Sequence, residues 1–315
     1  MQRSAAKILV LAPIPADALA PLRKRFELVD ASGSPLYFLR NCPKPEHFEI
    51  AFTIGNCPLT REMIGLLPAL RYVCHYGVGT DQLALNALRE RDVLVTNTAG
   101  ASASCVADLA LALLLSTIRQ LPQGDAFVRG GRWRETPFPC GPSIGGRRIG
   151  VYGLGDIGSR IAARLAPFET EIGYHTRSLR DDVPYRHFPS LLALSEWADD
   201  LIIAVSATEQ TVGSVDRAVL AALGSEGVLI NVARGSVVDE HALLDALSSG
   251  ALAGAGLDTF IGEPAINDAF LGLKNVVLSP HIGGGTRRAI KRTTQIFLSN
   301  LERFLAGEPP RNVVG

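Results

Sequence analysis

"RIGVYGLGDIGSRIAARLAPF", Arg148–Phe168, is the stretch that decides the fold. A short apolar run enters Gly153-Leu154-Gly155-Asp156-Ile157-Gly158, and a segment of helical character, "SRIAARLAPF", follows. Alone, G-x-G-x-x-G is a common glycine-rich turn. Between a strand and a helix it becomes a dinucleotide-binding turn. Gly153 permits the tight turn, Gly155 lets the backbone approach a pyrophosphate, and Gly158 lets helix and strand pack closely. The helix N-terminus supplies N–H groups and a partial positive charge to the phosphates, so Gly153, Leu154, Gly155, Asp156 and Ile157 are the candidate phosphate-binding residues.

Outward from this turn, short apolar runs alternate with helical patterns in both directions. Before it lie "KILVLA", "FELVD", "EIAFTI", "RYVCH" and "VLVTNT", with helices such as Asp17–Lys24 and Asp81–Arg91 between them. After it come "EIGYH", "DLIIAVS", "GVLINV", "AGAGLD" and "NVVLSP". Strands that are apolar nearly throughout, separated by helices, imply parallel sheets covered on both faces. The fingerprint opens the second set and not the first, so a dinucleotide-binding Rossmann domain begins near mid-chain and another α/β domain precedes it. The expected division is 1–100 with 286–315 as a substrate-binding domain of flavodoxin-like type, and 101–285 as the dinucleotide-binding domain. The helical stretch Thr286–Ala306 returns the chain to the first domain.

The bulk numbers agree with two packed α/β domains. The chain has 315 residues, too many for one ordinary core, with 47% hydrophobic and 20% charged side chains. Thirty-one basic and 31 acidic residues cancel, which gives no electrostatic reason to expect nucleic acid or an anionic membrane as a partner. The five cysteines (Cys42, Cys57, Cys74, Cys105 and Cys140) form no C-x-x-C pair, so neither a disulfide framework nor a metal site is suggested, and a reducing cytoplasm fits best. The apolar run before Pro13 is shorter than a signal-peptide core and reads as a first strand. The segment Val106–Ile118 carries Asp108 and falls short of a bilayer span; it reads as a buried or subunit-interface helix.

One strand beyond the glycine turn stands "IGYHTRSLRDD", Ile172–Asp182. An NAD site calls for an Asp or Glu there, about 20 residues past the fingerprint, to hold the ribose hydroxyls. This chain offers Thr176, Arg177, Ser178 and Arg180 instead. A carboxylate would repel a ribose 2′-phosphate, whereas a guanidinium binds one through charge-assisted, bidentate bonds, each contributing roughly 1.5–3 kcal/mol. NADP(H) is therefore the expected cofactor and NAD(H) the weaker one, with Thr176 and Ser178 as supporting hydroxyls. Whether Arg177 works alone or with Arg180 stays open.

Three polar residues follow successive later strands: Arg234 in "INVARGSVVDE", Glu263 in "IGEPAI" and His281 in "LSPHIGGGT". Singly each has an ordinary loop reading. Together they stand where ligands bind in such sheets, outside the carboxyl ends of the strands. One acid–base residue, one acidic partner and one fixed cation suit carbonyl reduction beside a carboxylate.

"GVLINVARGSVVDEHAL", "AGLDTFIGEP" and "NVVLSPHIGGGT", in this order after "GLGDIG", resemble the NAD(P)-dependent D-2-hydroxyacid dehydrogenases. The likeness extends upstream to "HYGVGTDQL", "VTNTAG" and "VADLALALLL", and the arginine turn is similar to that of NADPH-preferring glyoxylate, hydroxypyruvate and hydroxyphenylpyruvate reductases. The resemblance implies that His281 is the general acid/base and that Glu263 orients its imidazole and favours the cation. It implies that Arg234 grips the substrate carboxylate, that the backbone N–H groups of Gly77, Val78 and Gly79 cradle the same carboxylate, and that Asp258 holds the nicotinamide carboxamide, with Val205 and Gly283 also lining the cofactor. It further implies a homodimer, in which the loop of Trp133 and Phe138 either anchors the interface or reaches the partner's site. This chain departs from the resemblance at Ala99 and near Ser104, where the family often has a proline and an acidic residue. The expected reaction is reduction of a small anionic 2-oxo acid, glyoxylate or hydroxypyruvate, to the D-2-hydroxy acid. Two alternatives stay open: an NAD-dependent dehydrogenase of another 2-hydroxy acid such as phosphoglycerate or an aryl pyruvate product, and a dinucleotide-sensing binding protein without turnover.

Overall fold

The computed structural model describes residues 7–55 and 57–314. In chain order the elements are β1 (Lys7–Val10), α1 (Ala16–Arg23), β2 (Glu27–Asp30), α2 (Pro35–Asn41), β3 (Phe48–Ile54), α3 (Arg61–Gly65), β4 (Tyr72–Tyr76), α4 (Leu85–Arg89) and β5 (Leu94–Thr96). Then come α5 (Ala103–Ile118), α6 (Leu121–Arg129), β6 (Arg148–Tyr152), α7 (Asp156–Leu165), β7 (Glu171–His175), β8 (Arg186–His187), α8 (Leu191–Trp197) and β9 (Asp200–Ile203). The chain closes with α9 (Arg217–Leu223), β10 (Val228–Asn231), α10 (Glu240–Ser249), β11 (Gly254–Leu257), β12 (Val276–Leu278) and α11 (Arg287–Leu305). They form two compact units, one running up to Ser102 and resuming at Arg287, the other spanning Ala103–Thr286.

The larger unit is a seven-stranded sheet ordered β12-β11-β10-β9-β6-β7-β8, with every neighbouring pair parallel. Strand order reverses between β6 and β9, which puts the glycine turn at the switch point where open α/β sheets take their ligands. Each face has its own core. Val106, Leu113 and Leu114 of α5 pack with Ile161 and Leu165 of α7 on one side, and Leu194, Leu220 and Leu243 of α8, α9 and α10 on the other. The apolar run Val106–Ile118 therefore lies in a protein core, and no single helix among the described residues is long and apolar enough to cross a membrane.

The smaller unit is a five-stranded parallel sheet ordered β2-β1-β3-β4-β5, the flavodoxin-like arrangement. The amphipathic α11 lies over it: Phe297 meets Phe52 edge-on at 4.8 Å and Phe304 stacks on Tyr72 at 4.2 Å. Two expected elements are shorter than their sequence patterns. Residues 81–84 do not join α4, because Leu83 bridges to Leu59 instead. The run "VLVTNT" leaves the sheet after Thr96, because Asn97 and Thr98 turn to bond the loop that follows β4.

One ion pair fastens the N-terminal ends of the central strands. Arg147 donates from Nε to Asp200 Oδ2 at 2.6 Å and from Nη2 to Oδ1 at 2.5 Å, and Nη2 also reaches the carbonyl oxygens of Asp199 and Glu226. The Asp200 side chain is fully buried. Burial pushes its carboxyl above the ordinary range, against the pull of Arg147. Removing one partner of a buried pair leaves the other charge uncompensated. Arg147→Met is therefore expected to lower the unfolding free energy by about 3–5 kcal/mol in a denaturant titration, and adding Asp200→Leu to recover most of it.

Candidate active site

The cofactor turn is built by exclusion. Gly153 has φ +94°, and a Cβ there would lie 2.7 Å from Val205 Cγ1 and 2.9 Å from the Ala204 carbonyl. A Cβ on Gly158 would lie 1.9 Å from the Gly153 carbonyl oxygen. Only glycine at both positions lets α7 begin this close to β6 and β9. Gly155 precedes α7, and an added Cβ would meet nothing within 4 Å, so the space over the helix N-terminus is open. A glycine-lined turn, an open approach and a helix N-terminus fit a dinucleotide pyrophosphate.

At the end of β7 the two arginines part. Arg180 Nη1 donates to the Leu154 carbonyl at 2.6 Å and to Ser159 Oγ at 2.9 Å, while its Nε and Nη2 hold Asp182. The buried Tyr174 hydroxyl donates to the Arg180 carbonyl and accepts from the Arg180 N–H, closing the turn. Arg180 is thus a brace between the arginine turn and the glycine turn. Arg177 is exposed and has neither hydrogen bond nor ion pair with a described residue. The Thr176 hydroxyl differs from the sequence expectation of a free donor: it donates to the Ser178 carbonyl at 2.6 Å, because the tight turn brings the two together.

The polar trio sits on the loops after β10, β11 and β12. His281 Nδ1 lies 2.6 Å from Glu263 Oε2, and Glu263 Oε1 accepts from the Phe260 N–H at 2.8 Å. A carboxylate partner assigns the proton to Nδ1 and leaves Nε2 as the exchanging nitrogen. The carboxylate is mostly enclosed, 17% exposed, against 37% for the imidazole it holds. His281 has φ +53°, a left-handed conformation uncommon for a non-glycine residue. Its loop is organised from below by Asp258, which is 2% exposed. Asp258 Oδ1 accepts from Ser279 Oγ at 2.6 Å and from the Ile282 N–H at 2.9 Å, and Oδ2 accepts from the Gly283 N–H at 2.9 Å. Arg234 caps the short 3₁₀ turn Gly235–Val237, and Asn231 fixes it by donating from Nδ2 to the Arg234 carbonyl. The sequence reading missed Ser279 and Asn231. A strand-end Asn, which readily bonds its own backbone, was the one available signal. In the smaller unit, Gly77–Gly79 follow β4, with Val78 exposed.

A model of the D-isomer specific 2-hydroxyacid dehydrogenase NAD-binding domain matches residues 111–283, more than half of the chain. The chain belongs to the D-isomer specific 2-hydroxyacid dehydrogenase family. Among its relatives, a glyoxylate/hydroxypyruvate reductase of Arabidopsis thaliana is 38% identical over 286 residues, covering 90% of this chain and 88% of the relative. The hydroxyphenylpyruvate reductase of Plectranthus scutellarioides is 36% identical over 302 residues, 96% of each chain. The crystal structure of an NADPH-dependent glyoxylate/hydroxypyruvate reductase from Sinorhizobium meliloti, in complex with NADP and malonate, superposes with a TM-score of 0.94 at 37% identity, covering 99% of this chain and 97% of that one. This dehydrogenase is therefore an NAD(P)-dependent oxidoreductase of small 2-oxo and 2-hydroxy acids. Its two parallel-sheet domains are those expected from the sequence.

The Asp258 arrangement is testable apart from turnover. Asp258→Ala removes three hydrogen bonds to one carboxylate, so a stability loss of about 3 kcal/mol is expected. Amide exchange at Ile282 and Gly283 should accelerate with it; unchanged protection there would refute the loop-organising role.

Proposed function

We propose that this dehydrogenase is an NADPH-preferring reductase that converts glyoxylate or hydroxypyruvate to the D-2-hydroxy acid. The observation that carries the cofactor choice is Arg177, an exposed cation without a partner among the described residues, at the strand end where such folds read the ribose 2′ substituent. Arg180 is engaged within the fold, so Arg177 takes the 2′-phosphate with Ser178 beside it, and NAD(H) is the weaker cofactor. The reductases among the relatives support the substrate class.

In this reading 103–286 is the cofactor domain and the smaller unit the substrate domain. Gly153–Ile157 hold the pyrophosphate at the start of α7, and Val205, packed on Gly153, closes the turn. Three of the roughly four acceptor positions of the Asp258 carboxylate serve its own loop, which leaves one for the nicotinamide carboxamide, next to Gly283. The bound cofactor supplies the hydride. His281 delivers the proton to the substrate carbonyl oxygen from Nε2, while Glu263 holds the ring through Nδ1. Arg234 takes the substrate carboxylate and polarises the neighbouring carbonyl; in the smaller unit, the N–H groups of Gly77, Val78 and Gly79 form a carboxylate cradle. Trp133, 66% exposed, suits a homodimer interface, and the described cysteines, none of them paired, suit a reducing compartment such as the cytoplasm.

Arg177→Ala is expected to raise the Michaelis constant for NADPH about tenfold to a hundredfold, with NADH nearly unaffected. Equal losses with both cofactors in steady-state assays would sink the assignment. His281→Ala is expected to slow turnover by about 10²–10⁴ while fluorescence titration still shows NADPH binding. Near-normal turnover in that variant excludes His281 as the acid.

A further inference from the structure

The turn Gly77-Val78-Gly79 is fixed by its carbonyls. Gly77 O accepts from the Thr98 N–H at 2.8 Å, and Val78 O accepts from Asn97 Nδ2, also at 2.8 Å. Both carbonyls are drawn toward residues 97–98, and the N–H groups of Val78 and Gly79 donate to no described residue. From beneath, the buried His75, bonded to Thr53 at 2.7 Å, fills the space under the turn: a Cβ on Gly77 would lie 3.0 Å from its Nε2.

Asn97 is the junction of this arrangement. Its Oδ1 accepts from the Ala99 N–H at 3.1 Å. A backbone N–H only donates and a carbonyl only accepts, so the Ala99 and Val78 contacts together fix which way the amide points. Proline at position 99 would delete the first of them. The Asn97 backbone is tied to the C-terminal segment: its N–H donates to Asn312 O at 3.1 Å, and its carbonyl accepts from Asn300 Nδ2 at 3.2 Å. Asn300, 1% exposed in the middle of α11, accepts in turn from the Arg311 N–H at 3.0 Å. Asn312 sits at φ +58°, a conformation Asn tolerates better than most residues, and from there its Nδ2 reaches Ala99 O at 3.3 Å. The pairing continues as Val313 bridges Thr96 antiparallel and the Val314 N–H meets Val95 O at 2.9 Å.

If the segment only covered the edge of β5, its bonds would end on β5. Instead they extend to Asn97 and Ala99, whose remaining side-chain bond ends on the turn. We propose that Asn97 is a positioning residue for substrate-carboxylate binding, and that residues 311–314 are the strut that holds it. The proposal rests on the reading of Gly77–Gly79 as the carboxylate cradle.

The test uses the full enzyme with NADPH and glyoxylate, and reads both Michaelis constants, kcat and the melting temperature. Four variants suffice: truncation after Pro310, Asn97→Ala, Asn312→Gly and Val78→Pro. Truncation and Asn97→Ala are expected to raise the glyoxylate Michaelis constant about tenfold and leave that of NADPH within about twofold. Asn312→Gly keeps the left-handed backbone and its bond to the Asn97 N–H, so a smaller rise is expected. If truncation prevents folding, Asn97→Ala and Asn312→Gly carry the test. An unchanged glyoxylate constant in folded Asn97→Ala overturns the proposal, as does an equal rise for both substrates, the mark of a general structural defect. Val78→Pro deletes a cradle N–H directly. If it raises the glyoxylate constant while the strut variants do not, the cradle stands and the strut fails. If it has no effect, the cradle reading fails and the proposal with it.

Discussion

Everything in the larger unit is arranged around a place where no side chain fits. An added methyl on Gly158 would collide with the Gly153 carbonyl, and one on Gly153 would collide with Ala204 and Val205. These contacts bring α7 against the C-terminal ends of β6 and β9, where strand order reverses. The helix N-terminus then faces open space, and the arginine turn after β7 is braced back onto the same glycine turn through Arg180. At the opposite end of the sheet the buried Arg147–Asp200 fork holds the strand origins.

The loops after β10, β11 and β12 show how exposed reactive groups are kept in place by buried ones. His281 is partly open, but its ring is bonded to the more enclosed Glu263 and its loop to the almost fully buried Asp258. Two carboxylates thus act on one segment, one on the imidazole and one on the backbone around it. Such layered support gives the imidazole, the proton donor of the proposed reaction, a defined position without enclosing it.

The strands and long helices were legible because their apolar periods are long and uninterrupted. Elements set by tertiary contacts were not. The two-residue β8 carries no period, and residues 81–84 fit a helix pattern until Leu59 claims Leu83. Within the candidate site, the types and order of Arg234, Glu263 and His281 pointed to the proposed chemistry, because each stands just past a strand. The contribution of Asp258 to its loop depends on Ser279, Ile282 and Gly283, which lie more than one element away. The choice between Arg177 and Arg180 turned on Leu154 and Ser159, contacts made across the sheet that no reading of one strand contains. Asn97 was hidden most completely, since its partners Asn300 and Asn312 lie at the far end of the chain.

The separation of the two arginines divides labour in a way that bears on how such proteins diversify. Arg180 bonds a carbonyl, a hydroxyl and a carboxylate, so a change there disturbs the architecture. Arg177 touches none of it. A change at position 177 leaves the bonds of this brace in place, so in the proposed reading the recognition of a ribose substituent becomes a trait that can be exchanged by one codon while the scaffold beneath it stays constant.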